Sequence, residues 1–457
     1  MAASNLPPEM ANGAPSQTAV NPNLPPATAS LSYWQRTTRA FKYLNHNQTN
    51  TPPASTTYAI IGSGLAGALV AYNLLERGVQ GEEILILEAR EAVSGSTGRN
   101  AGHVRPDAFR NFSGYQAFHG SEQALKIVAT EETNLKRIAA FIRDKQIQCD
   151  FNLTTTFDVC LGPDAVEDEE KNIKDYLDAG GNLASLGVKC WYGDAAEEKS
   201  SCPGASAAYE WPAASIHPVK LVHWVLEHVI ERGVQLWTHC PVDEIREDSA
   251  KLGVQTSRGV ISADKVVHCT NAFAGSILSQ LTAERLTPFA VQVASVIPSS
   301  AASGDKTFKS TMALRENARM FYGFAQKPLD GTIIVSVGRP VGKGVQAEES
   351  HTPQVAEEIV QRISKLIGPN DEPQRSGEGL DTTWTGLIAF TPDKVPYIGE
   401  IDELPGQYIC AGFNGHGMAN IFTCAGGIAG LLLGRPWEST QLPECYCYSQ
   451  ARLSKSA

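Results

Sequence analysis

The run Gly62-Ser63-Gly64-Leu65-Ala66-Gly67 constrains the fold of this chain more than any other feature. It follows Tyr58-Ala59-Ile60-Ile61, an apolar stretch suited to a buried parallel strand. After it, Ala68, Ala71, Tyr72 and Leu75 recur on one face of a helix, and Gly78 is a stop signal. Ile84-Leu85-Ile86-Leu87 then supplies a second buried strand. Together these make a βαβ crossover, the unit that builds parallel sheets. In that setting the first glycine permits the tight turn, the second lets backbone approach a pyrophosphate, and the third brings helix against strand. Phosphates there meet free N–H groups at the positive end of the helix dipole. Glu88 lies 21 residues past Gly67, at the end of the second strand, where a carboxylate accepts ribose hydroxyls. Gly62, Ser63, Gly64, Leu65, Ala66 and Gly67, with Glu88, Ala89 and Arg90, are therefore the first candidate cofactor contacts. The bland alternative is a glycine turn that serves helix packing alone.

Two further segments share this character. Ser94-Gly95-Ser96-Thr97-Gly98-Arg99-Asn100-Ala101-Gly102-His103 directly follows the acidic strand. Its small residues, hydroxyls and unhindered N–H groups suit a large planar cofactor, although a surface loop has a similar composition. Ser96, Thr97, Arg99, Asn100, Ala101 and Gly102 are candidates here. Gly412-Phe413-Asn414-Gly415-His416-Gly417-Met418 lies between a last apolar strand at 408–411 and an apolar helix reaching 433. A helix N-terminus aimed at a flavin's N1–C2=O edge would stabilise the negative charge of the reduced ring. Asn414, Gly415, His416, Gly417 and Met418 are the candidates, and His416 is either catalytic or a packing histidine.

With 457 residues the chain is long enough for two domains with generous cores. Its net charge of −11 argues against a general nucleic-acid binder. No run of about 18 apolar residues predicts a membrane span, and no basic-then-apolar start predicts a secretory signal. Of ten cysteines, eight are scattered without zinc-site spacing and Cys445 and Cys447 lie close together, so no metal is expected and the thiols read as reduced, in a cytoplasmic protein.

Along the chain, residues 1–30 read as a disordered arm. Residues 31–57 read as a short helix and linker. A long helix is predicted at 121–146 and another at 219–231. Strands at 234–238, 242–246, 253–256 and 265–269 read as a meander, and 286–340 as alternating antiparallel strands.

The glycine turn, Glu88, the run at 96–102 and the Gly-Phe-Asn-Gly-His-Gly segment together resemble the D-amino-acid oxidase-like superfamily of FAD-dependent oxidoreductases. The likeness is nearest to its glycine, sarcosine and γ-glutamylputrescine oxidase branch. His217-Pro218, residues 266–272 and Thr391-Pro392-Asp393 are weaker echoes, and the resemblance spans about residues 55–435. It implies an α/β fold with an α+β second lobe: a Rossmann-type FAD domain with a parallel sheet, and a substrate domain with an antiparallel sheet. The FAD domain would come from 58–148, 205–285 and 379–440, the substrate domain from 149–204 and 286–378, with a tail at 441–457. By similarity, the backbone of Val242 would contact the adenine end, and Asn271 would lie near the pyrophosphate.

The same resemblance implies oxidation of a C–N bond in a small amine or amino acid, by hydride transfer to flavin N5, giving an imine. The acceptor is oxygen or another oxidant. Sarcosine oxidases bond their flavin through a cysteine; Gly386 stands near that place and Arg99 replaces the histidine other members use, so FAD is expected to be non-covalent. The lysine that holds a substrate carboxylate is replaced by Ala419, and the lysine tied to oxygen chemistry matches Val335. His103, Tyr322 and Arg339 are the candidate substrate contacts, Arg339 as a bidentate carboxylate partner. Sheet packing or a surface ion pair is the other explanation for each. The alternatives to amine oxidation are oxidation of a C–C or C–O bond and a non-enzymatic FAD-binding role.

Overall fold

The structure, a computed structural model, describes residues 24–26, 29–248, 251–349, 351–368, 373 and 375–455. Most of the expected arm, residues 1–23 and 27–28, lies outside them. The described end of that arm is tied down: the carbonyls of Pro26 and Ser30 accept hydrogen bonds from Arg90 and Arg99.

The chain opens with α1 (Tyr33–Arg36), β1 (Ser55–Ile61), α2 (Leu65–Leu75), β2 (Ile84–Leu87), β3 (His103–Val104) and α3 (Phe112–Asp144). Next come β4 (Asn152–Cys160), α4 (Pro163–Asp178), β5 (Lys189–Tyr192), α5 (Asp194–Ser200), β6 (Ala207–Ser215) and α6 (Pro218–Ile230). Strands β7 (Gln235–Trp237), β8 (Val242–Asp248), β9 (Lys251–Thr256), β10 (Gly259–His268) and β11 (Thr287–Ile297) follow. After β12 (Thr311–Asn317), β13 (Met320–Gln326), β14 (Ile333–Val337) and β15 (Gly342–Lys343) comes α7 (Pro353–Ile367). The last elements are β16 (Gly379–Phe390), β17 (Tyr397–Ile401), β18 (Leu404–Ala411), α8 (Gly417–Leu432) and α9 (Gln450–Lys455).

The first sheet runs β17-β18-β10-β1-β2-β7 and is parallel from β18 to β7. Strands β8 and β9 fold back antiparallel onto β10, as the meander predicts. Strand β7, expected to begin that meander, pairs instead with β2 in parallel. It is fed by α6 on the sheet face, and a helical crossover returns its strand parallel. Helix α2 packs between α8 and α6. Leu69, Val70 and Leu74 are therefore buried along with Ala68 and Ala71, while Leu75, on the expected buried face, is only partly covered. The one-sided pattern understates the burial of a helix sandwiched on all sides. Each fully buried Leu, Ile or Val contributes roughly 1.5–3 kcal/mol.

The second sheet runs β15-β11-β14-β13-β12-β4-β6-β3, with β16 on β11 and β5 on β6. It is antiparallel apart from the β12–β4 pair. Strands β6 and β16 belong here, so the boundaries expected at 205 and 379 cut into this sheet. Its side chains alternate with the period of two that a pleated strand imposes. Phe157, Val159, Met312, Leu314, Tyr322, Phe324, Val335 and Val337 share a cluster with Val355, Ile359 and Ile363 of α7. Asp158, Ala313, Arg315, Phe321, Gly323 and Ser336 take the opposite face. The segment from His103 to Arg110 crosses that second face. A Cβ placed on Gly323 would stand 3.9 Å from His103 Cε1, and Arg110 lies 5.9 Å over the Phe321 ring. Helix α3 then begins, breaking at Gly120 (φ +78°) before the stretch predicted from sequence.

Candidate active site at the junction of the two sheets

The glycine turn has the geometry its spacing requires. Gly62 has φ +107°, and a Cβ there would stand 2.8 Å from Cys269 O; one on Gly67 would stand 1.9 Å from Gly62 O. Both glycines are demanded by packing alone. Gly64 differs: its Cβ would meet only Thr97, at 3.0 Å from Oγ1. The bare Cα at the start of α2 lets a pyrophosphate come close to the backbone. Glu88 turns back toward this place. Its Oε2 accepts from Ser63 N (3.1 Å) and Ser63 Oγ (2.7 Å), and its Oε1 from Arg90 N across Ala89 (3.0 Å).

The second turn meets the first directly, and the third is joined to it through the end of β10. Leu65 N, beside Ala66 in the first helical turn, donates to Thr97 Oγ1 at 3.0 Å, tying the 94–103 loop to α2. Within that loop Asn100 Nδ2 donates to Thr97 O (3.1 Å), and Gly102 N, just after Ala101, donates to Asn100 Oδ1 (2.8 Å). Ser96 Oγ donates to Leu387 O (2.9 Å), and Gly386 lies against Arg99, whose O would be 3.1 Å from an added Cβ. Asn271, at φ +44°, accepts from Gly412 N on its Oδ1 (3.1 Å), joining the end of β10 to the third turn. That turn reverses through positive φ at Gly412, Asn414 and Gly415. Asn414 Nδ2 donates to Gly412 O (2.7 Å) and its Oδ1 accepts from Thr391 N (2.9 Å). Helix α8 begins at Gly417, and Met418 O accepts from Asn134 Nδ2 at 3.0 Å. Val242 is buried at the start of β8.

Two expected contacts are placed differently. The guanidinium groups of Arg90 and Arg99 turn to the fully buried Glu348: Arg90 Nη1 is 2.7 Å from Oε2 and Arg99 Nε 3.5 Å from Oε1. Arg99 also donates to the carbonyls of Thr385 (2.6 Å) and Ser30 (2.7 Å). Both arginine side chains are thus spent on clamping the loop.

The second sheet presents polar and charged groups to this junction. His103 Nε2 and Arg105 Nε have no hydrogen-bond partner among the described residues. Burial, with Arg105 adding to it, pushes the His103 imidazole down to about 3, so it is neutral. Burial and neighbouring Arg110 also lower Arg105, to about 10, with Asp158 3.3 Å from its Nη2. Asp158 in turn holds Arg110 Nε at 2.8 Å. Lys327 is buried with its Nζ unpartnered, and desolvation brings it down to about 8.

His416 is engaged rather than free. Its Nε2 stands 2.9 Å from Asp107 Oδ1, and its Nδ1 3.2 Å from Asn414 O. Burial alone would depress its pKa, but the Asp107 carboxylate overrides this and lifts it to about 9. Asp107 accepts as well from Asn111 Nδ2 (2.7 Å) and Tyr115 Oη (3.2 Å). Its N–H donates to Glu131 Oε2 at 2.6 Å. Glu131, buried and close to that charge, is pushed up. His416 is thus an ion-paired link between α8 and the 103–110 segment.

Tyr322 and Arg339 are not brought to the junction. Tyr322 Oη donates to Glu358 on α7, and Arg339 Nη2 pairs with the same carboxylate at 2.5 Å. The neighbours Phe321 and Gly323 take the other face, so the expectation was one residue out of register. Val335 shows the same slip, since Ser336, opposite Gly323, faces the junction. Sequence reasoning also passed over Arg105, Asp107 and Arg110. His103 and Arg105 stand two apart in an extended segment, an alternation that could have pointed to a shared face.

These residues fit FAD. Gly64 bares its backbone at a helix N-terminus, a carboxylate ends the adjoining strand, and the second glycine loop borders both. Among the described residues no helix is long and apolar enough to cross a membrane, and all ten cysteines are unpaired. The family described as FAD dependent oxidoreductase matches residues 57–431. γ-Glutamylputrescine oxidoreductase from Escherichia coli (strain K12) is 23% identical over 380 residues, covering 82% of this chain and 83% of the relative. The solved L-proline dehydrogenase from P. horikoshii superposes with a TM-score of 0.67 at 22% identity, over 87% of this chain and 97% of that one. Glycine oxidase from Geobacillus kaustophilus gives a TM-score of 0.67 at 16% identity, over 84% and 96%.

Proposed function

The chain belongs to the family of FAD-dependent oxidoreductases, and from that premise we propose that it oxidises the C–N bond of a small amine or amino acid to an imine. The observation that carries this reading is the meeting of three glycine-bearing turns opposite a sheet face bearing His103 and Arg105 with unpartnered nitrogens. The enzyme's cofactor is FAD, which when bound would supply the two-electron acceptor for the carbon beside the amine.

The protein's own groups divide the work. The N–H groups at the start of α2, with Gly64 beside them, would hold the pyrophosphate, Glu88 the ribose, Val242 the adenine end and Asn271 the pyrophosphate side. Loop 96–103 and turn 412–418 would border the ring, and the N-terminus of α8 would favour the charge that reduction brings. His103, neutral through burial, accepts a hydrogen bond from the substrate amine. Arg105, with a donor to spare, binds a substrate carboxylate. The proton released with the imine leaves from nitrogen, so a pocket that keeps the amine neutral speeds the step. Neither Gly386 nor Arg99 offers a group for a flavin bond, so FAD is held non-covalently. The unpaired thiols fit a cytoplasmic setting.

The test is spectroscopic. The purified protein, supplemented with FAD, carries the two visible bands of oxidised flavin, and acid releases them into the supernatant. Anaerobic mixing with amines, N-methyl amino acids and D-amino acids then bleaches the bands with one class, and air or an added acceptor restores them. A holoprotein bleached by no amine, but by an alcohol or a hydroxy acid, would refute C–N oxidation.

A further inference from the structure

The residues around α1 precede those that match the family, yet they make more hydrogen bonds to the 94–102 loop than to anything else nearby. Ser32 caps α1, with Gln35 N donating to its Oγ (3.1 Å) and Ser32 N donating to Gln35 Oε1 (3.0 Å). From this turn three side chains reach three loop carbonyls. Ser32 Oγ donates to Gly98 O, Trp34 Nε1 to Asn100 O at 2.7 Å, and Gln35 Nε2 to Ser94 O at 3.2 Å. Gln35 Oε1 also accepts from Arg99 Nη1 at 3.3 Å.

Trp34 is fully buried at the centre of this contact. Gly102, at φ +72°, sits beneath its indole: a Cβ there would stand 2.8 Å from Trp34 Cη2. The His217 ring meets the indole edge-on with centroids 4.8 Å apart, and the unpartnered Lys327 Nζ lies 5.1 Å over its face. The flanking residues reach both sheets. Tyr33 Oη donates to Asp330 in the β13–β14 turn, Arg36 pairs with Asp381 on β16, and Arg39 Nη1 stands 2.5 Å from Glu91 beyond β2. The segment thus spans the junction from outside, with one aromatic residue driven in under the loop.

We propose that Ser32–Gln35 is a built-in positioning element for the flavin loop, and that Trp34 is the residue through which it acts. The indole sets the height of Gly102, and its N–H sets the direction of the Asn100 peptide. Asn100 and Gly102 then present their other side to the cofactor at a fixed distance. This rests on the placement of FAD against residues 96–103 given above.

The test uses the full chain carrying Trp34→Ala, Trp34→Phe, Thr97→Ala or Lys42→Ala, the last removing a surface lysine paired with Glu227 and Glu231. FAD affinity of the stripped protein and the visible bands at saturating FAD are recorded for each. Trp34→Ala is expected to weaken FAD about tenfold, from a lost buried hydrogen bond and ring, and to shift the bands. Trp34→Phe, which keeps a ring but loses the donor, falls between it and wild type, and Lys42→Ala matches wild type. A variant that only loosened the fold would leave the bands of the saturated protein unmoved. Unmoved bands in Trp34→Phe and in any Trp34→Ala that folds overturn the proposal, whatever the affinity. If Thr97→Ala then still weakens FAD, the loop placement survives; if it too is silent, that placement fails as well.

Discussion

Replacing Asp107 with Asn removes the charge that holds His416 protonated. The rise of the His416 pKa from 6.5 to about 9 corresponds to roughly 3 kcal/mol, at about 1.4 kcal/mol per tenfold change in protonation. This agrees with the roughly 3–5 kcal/mol lost when one partner of a buried pair is deleted. The sign follows from linkage: a folded-state pKa above the unfolded value gives stability that is complete below about 6.5 and vanishes as pH rises through about 9. The wild type should therefore exceed Asp107→Asn by roughly 3 kcal/mol near pH 6 and by much less near pH 10. Glu131 acts in the same direction. Burial and the neighbouring Asp107 charge raise its pKa, so ionising it as pH climbs costs the wild type more than the variant. Unfolding midpoints in urea, read across this pH range for both proteins without FAD, give the difference directly. A gap between them that stays flat, or widens toward pH 10, would refute the reasoning that His416 is held as a cation by Asp107.

Three further outcomes are expected. Gly67→Ala, whose Cβ would stand 1.9 Å from Gly62 O, should yield little folded protein, whereas Gly64→Val should fold but bind no FAD; circular dichroism and flavin absorbance separate the two. Asp158→Asn leaves Arg105 and Arg110 short of a buried counter-charge and should cost roughly 3–5 kcal/mol in urea unfolding, the range for deleting one member of a buried pair. Tyr322→Phe loses the hydrogen bond to Glu358 and about 1 kcal/mol of stability. It should leave KM for the identified donor unchanged, and a large rise in KM would return Tyr322 to the substrate pocket.

The cofactor end of the molecule was legible because its constraints are local. Gly67 and Glu88 are fixed by contacts within one βαβ unit, and a residue type that is sterically required there stands out in a single sequence. The substrate end was not. Tyr322 and Phe321 lie on opposite faces of a strand buried on both sides, so alternation is visible but hydropathy does not say which face meets α7. The His416–Asp107 pair joins residues 309 positions apart, and nothing local to either announces the other. Arg90 and Arg99 matched a binding pattern, yet a buried acid in a distant turn, Glu348, claims both guanidinium groups. The role of α1 escaped notice because Ser-Tyr-Trp-Gln carries no motif; its effect comes only from where it docks.

The order of strands in the parallel sheet has a consequence for how the protein is made. Strand β10 has β1 on one flank and β18, among the last strands to be synthesised, on the other. The third glycine turn follows β18, so the cofactor site waits, incomplete, while nearly all of the chain leaves the ribosome. Until then the edge of β10 that β18 will cover stands open, and an unpaired edge invites association with other nascent chains. A chain stopped before β18 is therefore expected to aggregate rather than to give a smaller working enzyme.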